Sequence, residues 1–361
     1  MAKFHTLKVS DIKRETKDSV SVAFEVPAEL KNDYKYTQGQ YLTFKKMMDG
    51  EEIRRSYSIC TSPIVDNELR IAVKEVEGGK MSPFLNQKLT VGETMEVMTP
   101  MGNFYTEVNE SNRKNYVLFA GGSGITPING IIKTILAVEK NSKIKLIYAN
   151  KNEFSVIFKK AIENLANEHE NLEVIYVYDQ APANFDDLHA GLMTRQKVLE
   201  LVEHHDAINN TDEFFVCGPT PMMNNITDVL QNIGVDKKKV HIEYFTTVLD
   251  DIAKEEAKSK PSESDFSGTA SIKVILDGDE EEFELDANGD SILDAAIDAG
   301  LDVPFSCKGA VCCTCRAKVM EGKVEMDMNY ALEEDEVEQG FVLTCQSHPR
   351  SERVVVDFDQ M

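Results

Sequence analysis

Cys307-Lys308-Gly309-Ala310-Val311-Cys312-Cys313-Thr314-Cys315, answered by a lone Cys345, is a C-x4-C-x2-C run with a distant fourth thiol. This is the ligand spacing of a plant-type [2Fe-2S] cluster. Two irons bridged by sulfide need four thiolates, and the spacing predicts Cys307, Cys312, Cys315 and Cys345 as the metal ligands. The residues between them are mostly small, so the backbone can curl over the cluster and aim N–H groups at the sulfurs. Structural zinc would show paired C-x2-C knuckles, which this lopsided run lacks. The chain opens MAKFHTLKVSDIKRETKD, without an apolar stretch or a small-residue cleavage site, so a reducing, cytoplasmic compartment is expected and disulfides are not. Cys313 is expected to be a buried thiol turned away from the irons.

A chain of 361 residues is too long for one ordinary core, and two or three domains are expected. The longest apolar stretch, Tyr116 to Val138, is broken by Gly121, Gly122, Gly124, Pro127 and Lys133 and fails as a membrane span of about 20 residues. The net charge of -23 argues against nucleic acid as a partner, since phosphate contacts need clustered lysine and arginine. Its distribution is uneven. Residues 268–361 hold 22 acidic against 7 basic side chains and so carry -15 of the total. The cysteine segment is therefore expected to offer a negative docking face to a basic partner.

Upstream of the cysteines, residues 249–267 (LDDIAKEEAKSKPSESDFS, followed by Gly268) are charged, serine-rich and nearly free of large apolar groups, which marks a linker. Residues 111–248 alternate strand, turn and helix, beginning at Tyr116, and predict a parallel sheet with crossovers on both faces. Residues 1–110 read as short strands separated by Asp49-Gly50, Asp66-Asn67 and Gly78-Gly79, a barrel or sandwich pattern. In residues 268–361, strands at 270–276, 281–285 and 354–358 surround a helix expected from about Ser291 with Asp290 as its cap.

Two sets of residues carry the remaining chemistry. In Arg54-Arg55-Ser56-Tyr57-Ser58-Ile59, alternation along a strand puts residues 55 and 57 on one face. A flat isoalloxazine ring can lie against Tyr57, with Arg55 offering paired donors to a phosphate and Ser58 a hydroxyl near flavin N5. Gly78-Gly79-Lys80-Met81-Ser82 is a glycine turn opening a helix, where free N–H groups can hold a pyrophosphate. The second set is Phe119-Ala120-Gly121-Gly122-Ser123-Gly124-Ile125-Thr126-Pro127, read as a phosphate-accepting turn with Thr126 as helix cap and Pro127 in the first position. It departs from G-x-G-x-x-G. Cys217-Gly218-Pro219 ends a later strand, and its glycine and proline suggest close approach of a flat ligand.

In this order the motifs resemble the ferredoxin-NADP reductase superfamily, and the cysteine segment is similar to a fused plant-type ferredoxin. Residues 51–60, 328–333 and 354–359 carry a closer likeness to the reductase components of di-iron oxygenases. The resemblance implies a multidomain α/β and β chain. Its parts would be an antiparallel Greek-key β-barrel FAD domain, a parallel doubly wound α/β NAD(P) domain and a C-terminal β-grasp ferredoxin domain. It implies that Arg55, Tyr57, Ser58, Val73, Lys74, Gly79, Lys80, Met81 and Ser82 hold FAD, and that Phe245 covers its far face. Gly122, Gly124, Thr126, Cys217, Gly218 and Pro219 would place the nicotinamide ribose and ring. Ser58, Cys217 and Glu243 would orient the reacting ring. Where relatives carry Asn-Arg for the 2′-phosphate, this chain has Asn150-Lys151, which favours NADPH while leaving NADH open. The implied activity is an NAD(P)H-dependent oxidoreductase passing electrons through FAD and [2Fe-2S] to an oxygenase docked at the acidic domain. A free-standing reductase serving another oxygenase, a desaturase or a soluble carrier, and a redox-sensing component, are the other readings.

Overall fold

A computed structural model describes residues 3–245 and 266–360. One compact unit spans Phe4–Glu243, and a second takes in Tyr244 and the C-terminal residues. Of the linker expected at 249–267, only Phe266 and Ser267 fall within the described residues.

In the first unit, Phe4–Thr16 (β1) pairs with Ser19–Glu25 (β2), and Tyr41–Met48 (β3) pairs with Glu51–Ser58 (β4). The second hairpin turns at Asp49-Gly50, both with positive φ (54 and 82), as a tight two-residue hairpin requires. Leu69–Lys74 (β5) and Thr94–Met98 (β6) complete an antiparallel sheet ordered β4-β3-β6-β1-β2-β5. Its two edges meet where Ile59 bridges Ile71 and the Cys60 N–H donates to the Arg70 carbonyl at 2.9 Å, closing a barrel. Leu7, Val9, Val22, Leu42, Phe44, Ile71 and Val97 fill it. A short helix, Met81–Gln87 (α1), follows the Gly78-Gly79 turn.

The same unit continues as five parallel strands: Asn115–Gly121 (β7), Lys143–Asn150 (β8), Leu172–Tyr178 (β9), Glu213–Cys217 (β10) and Val240–Glu243 (β11), ordered β11-β10-β7-β8-β9. Crossovers are Ile125–Val138 (α2), Lys159–Glu168 (α3), Arg195–His204 (α4) and Thr220–Asn232 (α5). The pattern reading does not anticipate α4, whose buried face is only Val198, Leu201 and Val202. Helix α2 also begins earlier than expected. Its N-cap is Gly124, and the Thr126 hydroxyl donates to the Ser123 carbonyl at 2.9 Å instead of capping.

Helix α2 packs on the segment that leaves β4. Asn129 Nδ2 donates to the Cys60 carbonyl at 2.8 Å, Lys133 Nζ lies 2.7 Å from Asp66, and Thr134 Oγ1 is 2.8 Å from Ser62 Oγ. A Cβ on Gly130 would sit 2.7 Å from the Thr61 carbonyl oxygen, so the helix approaches there only because it carries glycine. The barrel and the parallel sheet are thereby fixed to each other.

The second unit contains Thr269–Leu276 (β12), Asp279–Asp286 (β13), Ile292–Asp298 (α6), Arg316–Glu321 (β14), Val324–Met326 (β15), Glu334–Glu338 (α7), Phe341–Leu343 (β16), Ser347–Pro349 (β17) and Arg353–Asp357 (β18). The main sheet runs β13-β12-β18-β14-β16, with β12 and β18 parallel, and β15 pairs with β17 apart from it. Ile292, Leu293 and Ala296 of α6 join Ile272, Val274, Val354 and Val356 in one core, a β-grasp arrangement. The cap of α6 is Ser291, whose hydroxyl accepts from the Asp294 N–H at 3.1 Å; Asp290 does not take that role. No helix among the described residues is long and apolar enough to cross a membrane.

Candidate functional site

The cysteine loop is a curl of backbone between α6 and β14. Lys308 and Ala310 both take positive φ (51 and 62), a region that costs non-glycine residues free energy and that is held only where the surroundings enforce it. The enforcing contacts are visible. Gln346 Nε2 donates to the Lys308 carbonyl at 3.2 Å, the Tyr330 N–H to the Ala310 carbonyl at 3.1 Å, and Thr344 Oγ1 to the Cys315 carbonyl at 2.8 Å. Cys312, Cys315 and Cys345 are buried and Cys307 is half-buried.

The four thiols stand as two pairs. Cys312 Sγ lies 3.1 Å from Cys307 Sγ, and Cys315 hydrogen-bonds to Cys345. The bond from Cys312 is the main influence holding the Cys307 thiol below its ordinary value. Among the described residues, no three or more His, Cys, Asp or Glu side chains gather to hold a single metal ion. Two pairs suit two irons with two thiolates each, as a [2Fe-2S] centre needs. Cys313 turns away and donates to the Ala331 carbonyl at 3.2 Å.

On the parallel sheet, Cys217 ends β10 beside Glu243 of β11 in register and Ala120 of β7 on its other side. The glycines explain how the two strand-end turns meet. A Cβ on Gly124 would lie 2.0 Å from the Cys217 carbonyl oxygen, and one on Gly218 2.9 Å from Gly121 Cα. Gly122 has φ 51 with open space where a Cβ would stand, so the backbone crest of the turn is left bare. A dinucleotide pyrophosphate fits such a bare turn at a helix start. Burial pushes the Cys217 thiol well up, with Glu243 adding to it, so it stays a neutral thiol and no thiolate chemistry is available there. Cys217 has no exposed surface, and a ring reaches its thiol only if the covering groups move.

Of the flavin candidates, Arg55, Tyr57 and Ser58 lie on β4, with Arg55 exposed, Tyr57 half-buried against Phe44 and Ser58 buried. Val73 and Lys74 end β5; Lys74 lies 3.7 Å from Asp18. The Gly78–Ser82 turn stands beside β4, since Lys80 Nζ is 2.5 Å from Glu51. Ser82 Oγ accepts from the Val76 N–H at 3.1 Å and so closes the turn. Val73 and Met81 point their side chains into the barrel core, which leaves only their backbone for a ligand. The first N–H groups of α1 are the ones a helix leaves without an internal acceptor, which fits a pyrophosphate. Phe245 is half-buried two residues beyond β11 and belongs to the second unit.

Two contributors carry no sequence signal. Tyr148, in the middle of a buried strand, donates its hydroxyl to the Gly122 carbonyl at 3.0 Å and steadies the turn. Gln346 supports the cysteine loop from outside the motif.

Three family models match the chain in succession: an oxidoreductase FAD-binding domain over residues 6–105, an oxidoreductase NAD-binding domain over 118–228 and a 2Fe-2S iron-sulfur cluster binding domain over 274–350. The chain is 39% identical to one of the polypeptides of the 1,2-phenylacetyl-CoA epoxidase of Escherichia coli (strain K12), over 99% of both chains. It is 31% identical to the ferredoxin reductase component of 3-ketosteroid-9-alpha-monooxygenase of Rhodococcus rhodochrous, over 98% of this chain and 96% of the relative. Among solved structures, phthalate dioxygenase reductase shares the fold over 98% of both chains, with a TM-score of 0.56 and 22% identity.

Proposed function

Since the chain belongs to the ferredoxin-NADP reductase superfamily, as an oxidoreductase with FAD-binding, NAD-binding and [2Fe-2S] domains serving an oxygenase system, we propose that its acceptor is the di-iron oxygenase that epoxidises phenylacetyl-CoA. The observation that carries this reading is the end-to-end likeness to the Escherichia coli epoxidase polypeptide. When bound, nicotinamide supplies electrons in pairs, the flavin converts pairs to single electrons, and the [2Fe-2S] centre holds one at a time.

The chain's own residues do the rest. Arg55, Tyr57, Ser58, Val73, Lys74 and the turn Gly79, Lys80, Met81, Ser82 hold FAD. Gly122, Gly124, Thr126, Gly218 and Pro219 seat the dinucleotide, and Lys151 pairs with a 2′-phosphate, so NADPH is preferred over NADH. Ser58, Cys217 and Glu243 orient the reacting ring, Cys217 as a neutral donor. Cys307, Cys312, Cys315 and Cys345 hold the cluster. The acceptor docks on the acidic unit, where Glu333, Glu334, Asp335 and Glu338 are exposed just beyond the Tyr330–Ala331 segment that touches the cysteine loop.

The test is reconstitution with a phenylacetyl-CoA oxygenase. NAD(P)H oxidation should become coupled to epoxide formation. Brisk reduction of cytochrome c without coupling to that oxygenase sinks the choice of acceptor.

A further inference from the structure

Toward the end of the parallel sheet opposite the glycine turns, three histidines crowd together. His189 closes the short turn Asp187–His189 that follows β9, His204 ends α4, and His205 is the C-cap of that helix. The ring centroids of His189 and His205 lie 5.1 Å apart, and that of His204 lies 4.8 Å from His205 and 6.4 Å from His189. His189 and His205 are half-buried and His204 is exposed. Glu173, which faces His205, is in register with Lys145 of β8 and through it with Val117 of β7, well before the Gly121–Gly124 turn.

Two of the rings face each other through their Nε2 atoms at 2.8 Å. Their other nitrogens face carboxylates: His189 Nδ1 lies 2.8 Å from Asp186 Oδ2, and His205 Nδ1 lies 3.6 Å from Glu173 Oε1. Asp186 is itself held, since its Oδ1 accepts from the Leu188 N–H at 3.1 Å. Glu173 also pairs at 3.2 Å with Lys145, whose ammonium donates to the His205 carbonyl.

Proton counting shows what this arrangement lacks. An ionised carboxylate only accepts, so the His189 ring proton belongs on Nδ1 and its Nε2 presents a lone pair. A neutral His205 has one proton to place. On Nε2 it satisfies His189 and turns the Nδ1 lone pair toward the Glu173 carboxylate. On Nδ1 it meets the carboxylate and leaves two lone pairs 2.8 Å apart. Either way the pair is one cation short.

We propose that His189 and His205 form a binding site for a divalent transition-metal cation of the zinc class, held between their Nε2 atoms. Neutral imidazole suits zinc, copper or nickel, whereas magnesium and calcium take oxygen ligands. Carboxylates behind both Nδ1 atoms are the outer partners that fix the tautomer of a ligating histidine. Two Zn–N bonds of about 2.0–2.1 Å at a tetrahedral angle set their nitrogens about 3.3 Å apart, so opening the contact by about half an ångström admits the ion. Water fills the remaining positions, and the exposed His204 ring can turn to take one of them. The ion ties the turn after β9 to the end of α4, away from the glycine turns, so it acts on stability and not on turnover. The site is independent of which oxygenase takes the electrons.

The test uses the full chain without an affinity tag, loaded with flavin and cluster so that the four cluster thiols are occupied. Calorimetric titration with zinc chloride should register one ion per chain at micromolar concentration, and magnesium chloride none. At saturation zinc should raise the thermal transition of the Phe4–Glu243 unit by about 5 °C or more. His189→Gln and His205→Gln should each weaken zinc binding by roughly tenfold or more and abolish that rise. Asp186→Asn, which leaves both imidazoles in place, should weaken it by about tenfold. Unaltered flavin and cluster spectra and retained ferricyanide reduction show that a variant has folded. Zinc binding by the folded variants, Asp186→Asn included, within about twofold of the parent overturns the proposal, as does magnesium binding of equal strength. Failure of the parent to take up zinc below millimolar concentration overturns it as well, and leaves a shared proton to fill the gap.

Discussion

The glycine turn at Gly121–Gly124 and the cysteine loop at Cys307–Cys315 both bend backbone around a ligand, by opposite means. The turn uses glycine wherever clearance is small, so that Gly124 can sit where a Cβ would be 2.0 Å from the Cys217 carbonyl oxygen. The loop places Lys308 and Ala310, which do carry Cβ atoms, at positive φ. The first is a finished surface, packed before any nucleotide arrives. The second holds unfavourable backbone in place, at about 1–3 kcal/mol per residue, and needs bonds from its thiols to metal to complete it. The reductase unit should therefore stand without its nucleotide, and the ferredoxin unit should depend on its iron.

The sharpest test of that contrast is Cys312→Ser. It should abolish reduction of cytochrome c or of an oxygenase while NAD(P)H-driven ferricyanide reduction persists; survival of both activities would show the cluster lies off the route. Removal of iron with a chelator should come next in size. By calorimetry, the transition of the C-terminal unit should fall by about 10 °C or more, the shift for roughly 2 kcal/mol in a domain of that size, with the Phe4–Glu243 transition unmoved. Parallel shifts in both would contradict the contrast.

Gly124→Ala attacks the finished surface. The added methyl must push strand-end backbone, at about 1–3 kcal/mol, and should raise the KM for NAD(P)H with the cluster's spectrum intact. Glu213 addresses the opposite end of the same sheet. Burial pushes its carboxyl up, but hydrogen bonds from His241, Lys114 and Thr106 outweigh this and bring it down to about 2. A carboxyl lowered in the folded state adds stability that is complete above its unfolded value, near 4.5, and is lost as pH falls toward 2. Glu213→Gln should cost on the order of 2 kcal/mol at pH 7 and flatten stability between pH 5 and 2, read by denaturant titration. The smallest effect is expected from Gln346→Leu. It removes the amide that lies 3.5 Å from Cys345 Sγ and donates to the Lys308 carbonyl, and should lower the cluster potential by about 20–60 mV, the worth of one hydrogen bond.

Legibility followed the range of the interactions. The 2Fe-2S domain could be read outright because the spacing of Cys307, Cys312 and Cys315 is a local code. The glycine turns were readable as turns, but their purpose, clearance between Gly124 and Cys217, is a contact between residues far apart along the chain. Barrel closure through Ile59 and Ile71 is hidden for the same reason. The caps failed at short range: Thr126 and Asp290 look like caps in isolation, yet Gly124 and Ser291 hold the positions. In the first case the Gly122–Gly124 turn winds directly into the helix and advances its start. Helix α4 shows too narrow an apolar face to announce itself.

The compact units divide between Glu243 and Tyr244. Glu243 is the last residue of the strand beside Cys217, and Cys307, Cys312, Cys315 and Cys345 all lie beyond Tyr244. The FAD- and NAD-binding domains thus lie in one compact unit and the 2Fe-2S domain in the other. With α2 bracing barrel against sheet inside the first body, a different one-electron carrier could be spliced on beyond Phe245 without redesigning the donor half. The seam in the architecture is a place for evolution, or an engineer, to change the recipient and keep the source.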